Sequence, residues 1–328
     1  MSLKIIKAGI LDTVQDLGRF GGQHSGINPG GAMDRFSARL ANSLLGRELG
    51  APVLELHFPA SRFLFERPAL MCLTGADFAP TINDQPIPLN QPLAVGPQSV
   101  LAFTRPVAGA RSYLALLPGL RLEPWLHSYS THLGLQTGGW KGRGLQKDDV
   151  LAFEQDLPLW SFLLERAFVP LHWKAVPPEP VAGSRLGVLR GFEWDWLTAE
   201  SVAAFWESSF RITRLADRMG FRLSSRPLAV QNPGGMVSSP VAAGTVQLLP
   251  DGQLIVLMAD HQTTGGYPRI ANLCSVDLDR LAQLQPNDEV RFTLTSLEAA
   301  EEALLQQQDY LQELQLDCRE KLREVLGG

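Results

Sequence analysis

Apolar and polar residues alternate along most of this chain in short runs, and glycine or proline closes nearly every run. KIIKAGI (4–10), PVLELHF (52–58), RFLFE (62–66), ALMCLTG (69–75), QSVLAFT (98–104), RSYLALL (111–117) and DVLAF (149–153) read as strands separated by turns. One helix interrupts them at 34–46. Asp34 can cap it, Phe36, Leu40, Leu44 and Leu45 share a face, and Gly46 ends it. Residues 170–185, PLHWKAVPPEPVAGSR, hold four prolines and no alternation, as expected of an extended connector. Beyond it come the strand LGVLRGF (186–192), a helix near 195–207 carrying Trp196, Val202 and Phe205, and the strands FRLSS (221–225), GTVQLL (244–249), QLIVLMA (253–259) and EVRFTLT (289–295).

LQKDDVLAF (145–153) and LQPNDEVRF (284–292) share Leu, Gln, Asp and Phe at equal spacing, each closing one half of the chain. Two related barrels or a recurrent turn both explain that echo. From Thr295 to Leu326 glycine and proline disappear and a long helix is predicted, with Thr295 and Glu298 as a capping box. Leu297, Leu304, Leu311, Cys318 and Val325 recur at sevens, but Ala300, Gln307, Leu314 and Lys321 leave the second seam half polar. Packing on its own domain or a partner is therefore favoured over a coiled coil. The reading is mainly β: two barrel domains at 1–170 and 186–295, a connector at 171–185, a few short helices and a terminal helix at 296–328.

With 328 residues, 45% hydrophobic and 19% charged, the chain has material for two cores and no disorder signature. A net charge of −5 without a dense basic run argues against nucleic acid, and no apolar stretch approaches the roughly 20 residues that cross a bilayer. Cys72, Cys274 and Cys318 are scattered and odd in number, so neither a disulfide framework nor a metal site is expected; a cytoplasmic location fits.

The common catalytic fingerprints are missing: G-x-x-x-x-G-K-[ST], H-E-x-x-H, G-x-S-x-G and a strand-coupled G-x-G-x-x-G. Four segments still carry more glycine, hydroxyl and charge than turns require. Residues 12–34 set Gln15, Asp16, Arg19, His24 and Asp34 in a glycine-rich stretch whose N–H groups can approach a ligand, or which simply covers a barrel. Residues 259–270 place Asp260, His261, Gln262, Thr263 and Thr264 after a strand and turn on Gly265-Gly266, suiting a carboxylate, carbonyl or phosphate, or a self-capped turn. Residues 215–223 bring Asp217, Arg218 and Arg222 together, either for an anion or for one another. Residues 127–145 combine Ser128, Ser130, Thr131 and His132 with Lys141 and Arg143, which suits a solvated loop first and phosphate contact as the alternative.

TVQDLGRFG (13–21), SGINPGGAMD (25–34), LTGADF (73–78), ADRMGFRL (216–223) and the run from Gly244 to Ala271 resemble, in this order, the allophanate hydrolase subunit 2 family, also called carboxyltransferase subdomain A/B and related to urea amidolyase. Within it they are most similar to the group of 5-oxoprolinase C subunits. The resemblance implies two cyclophilin-like β-barrels and two partners, a B subunit of allophanate hydrolase subunit 1 type and an A subunit of TIM-barrel type. It implies ATP-dependent opening of 5-oxoproline, a lactam, to L-glutamate, with this chain inactive alone. Two other roles come with the family: biotin-dependent carboxyl transfer of urea carboxylase type, and non-catalytic antagonism of a sporulation-kinase inhibitor homologue. The chain departs from the family pattern at Ala216, Tyr129 and Pro240, where serine, arginine and an acidic residue are common.

A lactam is a poor electrophile, so donors to its carbonyl oxygen are essential once it is activated. Gln15, Arg19, Thr263, Thr264 and the Gly265-Gly266 N–H groups are the candidates for that task, with Asp260 or His261 as orienting acid or base. Asp16, His24, Asp34, Asp217, Arg218, Arg222, Gln247, Gln262 and Tyr267 complete the expected substrate-binding set. No phosphate loop is present, which puts nucleotide on an unusual surface or on a partner. The whole reading needs the glycine-bearing strips of the two halves to meet.

Overall fold

The computed structural model describes residues 3–157, 160, 163, 165–176, 185–231 and 236–327. Most of the predicted connector, residues 177–184, lies outside them. The chain forms two compact units: Met1–Gly18, Asp34–Pro178 and Gln308–Gly328 make the first, Arg19–Met33 and Glu179–Gln307 the second.

In the first unit two six-stranded sheets enclose one core. One runs Val150–Leu151, Leu3–Lys7, Arg62–Phe65, Ser99–Phe103, Pro80–Ile82, Gln85–Pro86. The other runs Phe168–Pro170, Leu93–Val95, Ala69–Asp77, Ala108–Leu117, Val53–His57, Thr13–Gln15. Period-2 alternation turns Leu3, Ile5, Phe63, Phe65 and Leu101 of the first sheet inward onto Leu54, Leu56, Met71, Leu73 and Leu114 of the second. The second unit closes into a seven-stranded barrel ordered Arg185–Arg190, Arg269–Leu273, Thr245–Leu248, Leu254–Leu257, Gly220–Ser224, Phe210–Ile212, Glu289–Leu294. Its seam is a parallel pairing of the first and last strands, with Leu186 opposite Phe292. Phe205 of a covering helix stacks on Phe292 at 5.0 Å and packs edge-on to Trp194 at 5.2 Å.

Helix α1, Arg35–Leu44, forms where the pattern predicts: Asp34 accepts from Ser37 N at 2.8 Å, and Leu40, Leu44 and Leu45 are buried. The predicted 195–207 helix is a 3-10 turn at Trp194–Trp196 followed by α2, Ala199–Glu207, capped by Thr198. Helix α3, Ser275–Leu281, has too few turns to show a period and was not expected. The terminal helix α4, Leu297–Gly327, starts later than predicted. Thr295 still bonds the barrel through Val188 O, and Ser296 Oγ takes the capping bond from Ala299 N at 3.2 Å.

Two boundaries differ from the expected ones. Residues Arg19–Met33 leave the N-terminal half for the barrel unit, because Met33 is buried in the barrel's own core. The later part of α4 belongs to the first unit rather than forming a domain of its own. Leu311, Cys318 and Leu322 are buried there, Ser43 Oγ donates to Leu311 O at 3.1 Å, and Arg319 Nε donates to Gly46 O at 3.2 Å. A Cβ on Gly46, whose φ is +58°, would lie 2.9 Å from Arg319 Cα, so the helix approaches α1 over a glycine.

The echo between residues 145–153 and 284–292 is a shared turn. Gln146 N donates to Asp149 and Gln285 N to Asp288, both at 2.8 Å, and Asp148 and Asn287 have φ of +69° and +81°. Each turn also exchanges two backbone bonds with an isoleucine, Ile5 in one unit and Ile212 in the other. Among the described residues no helix is long and apolar enough to cross a membrane.

Asp12 is a buried carboxyl in the first unit, receiving His57 N at 3.0 Å and Ser61 N at 2.6 Å. Burial is the main cause of a pKa raised from 3.8 to about 6, opposed by the bonds from Ser61 and His57. Folding therefore favours its neutral form, and its contribution to stability is full below pH 4 and lost as the pH rises towards 6. The wild type's stability relative to Asp12→Ala is expected to fall by about 2 kcal/mol between pH 4 and pH 7. Urea unfolding at the two pH values measures this, and a constant difference would refute it.

Candidate functional site

Three segments converge on Asp260 within the barrel unit. The strand Leu254–Leu257 delivers Asp260 just past its C-terminal end, and Arg218 precedes the neighbouring strand, where Gly220 pairs with Leu257. The Arg218 guanidinium forks onto the carboxylate, Nε to Oδ2 at 2.8 Å and Nη2 to Oδ1 at 3.1 Å. Nη2 also donates to Gly31 O at 2.7 Å. Asn28 Nδ2 donates to Asp260 O at 2.9 Å, and Arg19 N closes the strip through Pro29 O at 2.7 Å. A Cβ on Gly30 would stand 3.1 Å from Arg19 Nη1 and 3.6 Å from Asp260 Oδ1, which places the Arg19 guanidinium beside the fork. The two glycine-rich strips therefore meet, and they do so inside one unit.

A second cluster lies against the outer wall of the barrel. Val246 and Leu248 turn into the core, so alternation sends Gln247 outward, yet its side chain is wholly buried. Gln262 and Gly265 cover it: Gln262 Nε2 reaches Gln247 Oε1 at 3.5 Å, and a Cβ on Gly265 would lie 2.6 Å from Gln247 Nε2. Gly265 and Thr264 pair with Ser239 and Pro240 in a two-stranded ribbon. His261 is buried, and its Nδ1 sits 2.6 Å from Gln262 O; a carbonyl can only accept, so Nδ1 carries the proton.

Glu193 and Arg269 were not singled out in the sequence and hold this ribbon in place. Arg269 Nε and Nη2 fork onto Glu193 at 2.9 and 2.7 Å, and Nη1 donates to Pro240 O at 3.3 Å. The Arg269 bonds hold the Glu193 carboxyl below its ordinary range. The two residues are far apart in sequence, and a Glu followed much later by an Arg carries no local signal.

Several expected binding residues make hydrogen bonds that hold the fold. Asp16, in the first unit, accepts from Ser128 Oγ, Ser130 Oγ, Tyr129 N and Gly18 N at 2.5–2.8 Å, so its carboxylate locks residues 128–130. That lock also corrects the reading of 127–145 as solvated, since Ser128, Ser130 and Thr131 are buried. Asp34 is occupied as the cap of α1. Asp217 caps its own turn through Met219 N at 2.8 Å and Gly220 N at 3.1 Å. Arg222 is an exposed strand residue opposite Ile255, and His24 is exposed in a 3-10 turn. Gln15 is buried in the first unit with Nε2 on Thr13 Oγ1 at 3.0 Å, and thus lies in a different unit from Arg19 and Asp260. Thr263 lends its carbonyl to Val241 N; Thr264 and Tyr267 are exposed, and Gly266 lies beside Ser238. Among the described residues no three His, Cys, Asp or Glu side chains are grouped to hold a metal ion.

Fold and site together define a mainly β, two-unit protein whose closed barrel carries a buried Arg–Asp fork and a buried amide cluster under a polar ribbon. The chain belongs to the family described as carboxyltransferase domain, subdomain A and B, matched over residues 25–294. It is 36% identical to the 5-oxoprolinase C subunit of Escherichia coli (strain K12) over 95% of this chain and 97% of that one. It is 28% identical to urea amidolyase of Lachancea kluyveri, over 91% of this chain but 17% of the longer protein. The crystal structure of the Kluyveromyces lactis urea carboxylase superposes with a TM-score of 0.86 at 25% identity, covering 95% of this chain and 29% of that one.

Proposed function

We propose that the chain is the C subunit of a 5-oxoprolinase-type complex, which opens 5-oxoproline to L-glutamate with ATP alongside an A and a B subunit. The similarity to a 5-oxoprolinase C subunit over 95% of this chain and 97% of that protein carries this reading. The Arg218–Asp260 fork holds the strip 28–31 against Asp260, a positioning role for both side chains. With Nδ1 of His261 committed to a carbonyl, proton exchange at that residue falls to Nε2. Thr264, exposed beside these groups, and Arg19 are the assigned substrate contacts. The Arg218–Asp260 cluster does not fit a triphosphate: Arg218 is spent on Asp260 and Gly31, and the glycine-rich strip turns a carbonyl towards it. Nucleotide is therefore assigned to one of the partners.

The test is reconstitution. The chain alone is expected to release no glutamate, and mixing it with its two partners is expected to restore ATP-dependent release. Arg19→Ala and Thr264→Ala each lower that rate at least tenfold; wild-type rates in both variants refute the site. A second reading, biotin-dependent carboxyl transfer, draws on the likeness to urea carboxylase. It requires carboxylation of urea to depend on a biotinylated carrier supplied to the same mixture.

A further inference from the structure

Four neighbouring strands of the barrel turn arginine to its outer surface. Alternation buries Leu186, Phe210, Phe221 and Phe292 in the core, and so sends Arg185, Arg211, Arg222, Glu289 and Arg291 outward, where all five are exposed. The register sets Arg185 directly beside Arg291, and Arg211 beside Glu289. Among the outward positions of these strands Glu289 is the one acid, and it is taken by Arg211 Nη2 at 3.4 Å and Ser209 Oγ at 2.8 Å. Like charges side by side on a sheet are unfavourable, so Arg185 and Arg291 weaken the barrel that carries them. The helix that follows has the opposite sign. The strand of Arg291 ends at Leu294 and α4 begins at Leu297; its residues 297–307, in the same unit, hold Glu298, Glu301 and Glu302 and no basic residue. All three glutamates are exposed, and Leu294, Leu297 and Leu305 are each at least half exposed. The helix dipole favours acids in its first turn only, so it does not account for Glu301 and Glu302, nor for the leucines.

We propose that a second copy of the chain docks on this surface about a two-fold axis, the arginine strip of each copy meeting Glu298, Glu301 and Glu302 of the other. A two-fold contact joins one patch to itself, so a patch that is basic at one end and acidic at the other complements its own rotated copy. Seven residues lead from Arg291 to Glu298, at most about 24 Å of chain. A patch of about 800 Å² on each partner, the size of a standard interface, is about 32 Å across and spans both ends. The matched charges fix orientation and speed encounter, and the exposed leucines that lie between them in the chain supply apolar area. Nucleic acid is the poorer occupant, because the net charge of −5 and the adjoining glutamates repel a polyanion. The pairing is independent of the activity proposed above.

Sedimentation velocity of the full chain tests it. The wild type is expected to dimerise at concentrations up to about 0.1 mM, the range of weak complexes. Raising NaCl from about 0.05 to about 0.5 M is expected to weaken the dimer at least tenfold, since the pairs are exposed. The double variants Arg185→Glu/Arg291→Glu and Glu301→Arg/Glu302→Arg are each expected to raise the Kd at least tenfold. The first makes the strip acidic like its helix, and the second makes the helix basic like its strip, so neither matches itself but each matches the other. An equimolar mixture of the two is therefore expected to dimerise within threefold of wild type, a recovery that misfolded variants would not give. The surface is refuted if the wild type stays monomeric over this range, if either variant alone dimerises as tightly as wild type, or if mixing restores nothing. A monomeric wild type that binds an oligonucleotide through Arg185 and Arg291 would assign the strip to nucleic acid and overturn the pairing.

Discussion

Arg218→Ala is expected to destabilise the barrel unit by about 3–5 kcal/mol, the cost of removing one partner from a buried ion pair. The Arg218 side chain is 7% exposed and that of Asp260 18%, so water replaces little of what is lost. The substitution leaves the carboxylate facing Gly30 and also removes the donor to Gly31 O, loosening the strip 28–31 from Asp260. For a unit of this size the loss corresponds to a fall in melting temperature of roughly 10 °C. Arg218→Lys is expected to recover less than half of it, because a single ammonium cannot donate to both carboxylate oxygens and Gly31 O in one plane. Urea unfolding followed by tryptophan fluorescence reports on the unit in a chain whose Trp125, Trp140, Trp160 and Trp173 are replaced by Phe, leaving Trp194, Trp196 and Trp206. A loss below about 1 kcal/mol in Arg218→Ala would show that the fork is incidental.

Asp16→Ala is expected to cost the first unit a comparable amount, about 3–5 kcal/mol, with no effect on charge pairing. Four donors converge on this carboxylate, and alanine leaves Ser128 Oγ, Ser130 Oγ and Tyr129 N without their shared acceptor. Asp16→Asn is the informative companion. It keeps an oxygen for Ser128, Ser130 and Gly18 but turns an NH2 group towards Tyr129 N, where two donors oppose each other. A loss about half that of alanine is expected, together with earlier proteolytic cleavage within residues 127–145. Equal stability of wild type and Asp16→Asn would mean that the Tyr129 bond contributes nothing.

Local chemistry was readable wherever a residue acts on its own neighbours. Asp34 caps the helix it precedes, and the two Leu-Gln-x-x-Asp segments fold into one turn, since a side chain three residues away needs no tertiary information to be found. The longer strands of both units were visible for the same reason, because a period of two records which face is buried, whereas Phe210–Ile212 and Arg269–Leu273 of the barrel and Thr13–Gln15, Pro80–Ile82 and Leu93–Val95 of the first unit were not among the strands expected. The capping box at Thr295 failed by one residue: Thr295 N, just past the strand, still bonds the barrel at Val188 O, and Ser296 takes over the cap.

Left to itself, then, the amino-acid sequence determined the mainly β class, the capped helices, the turns and the family to which the chain belongs. Only the tertiary structure decided that residues 19–33 join the barrel unit, that the Asp16 carboxylate gathers Ser128, Tyr129 and Ser130, and that Gln247 faces Gly265. Each of these depends on groups more than ten residues apart whose meeting is fixed by burial of apolar surface elsewhere: Met33 in the barrel core draws the glycine strip to Asp260, and Val246 and Leu248 turning inward send Gln247 out beneath the ribbon. Burial is a property of the assembled sheet, and no short stretch of the chain encodes it alone.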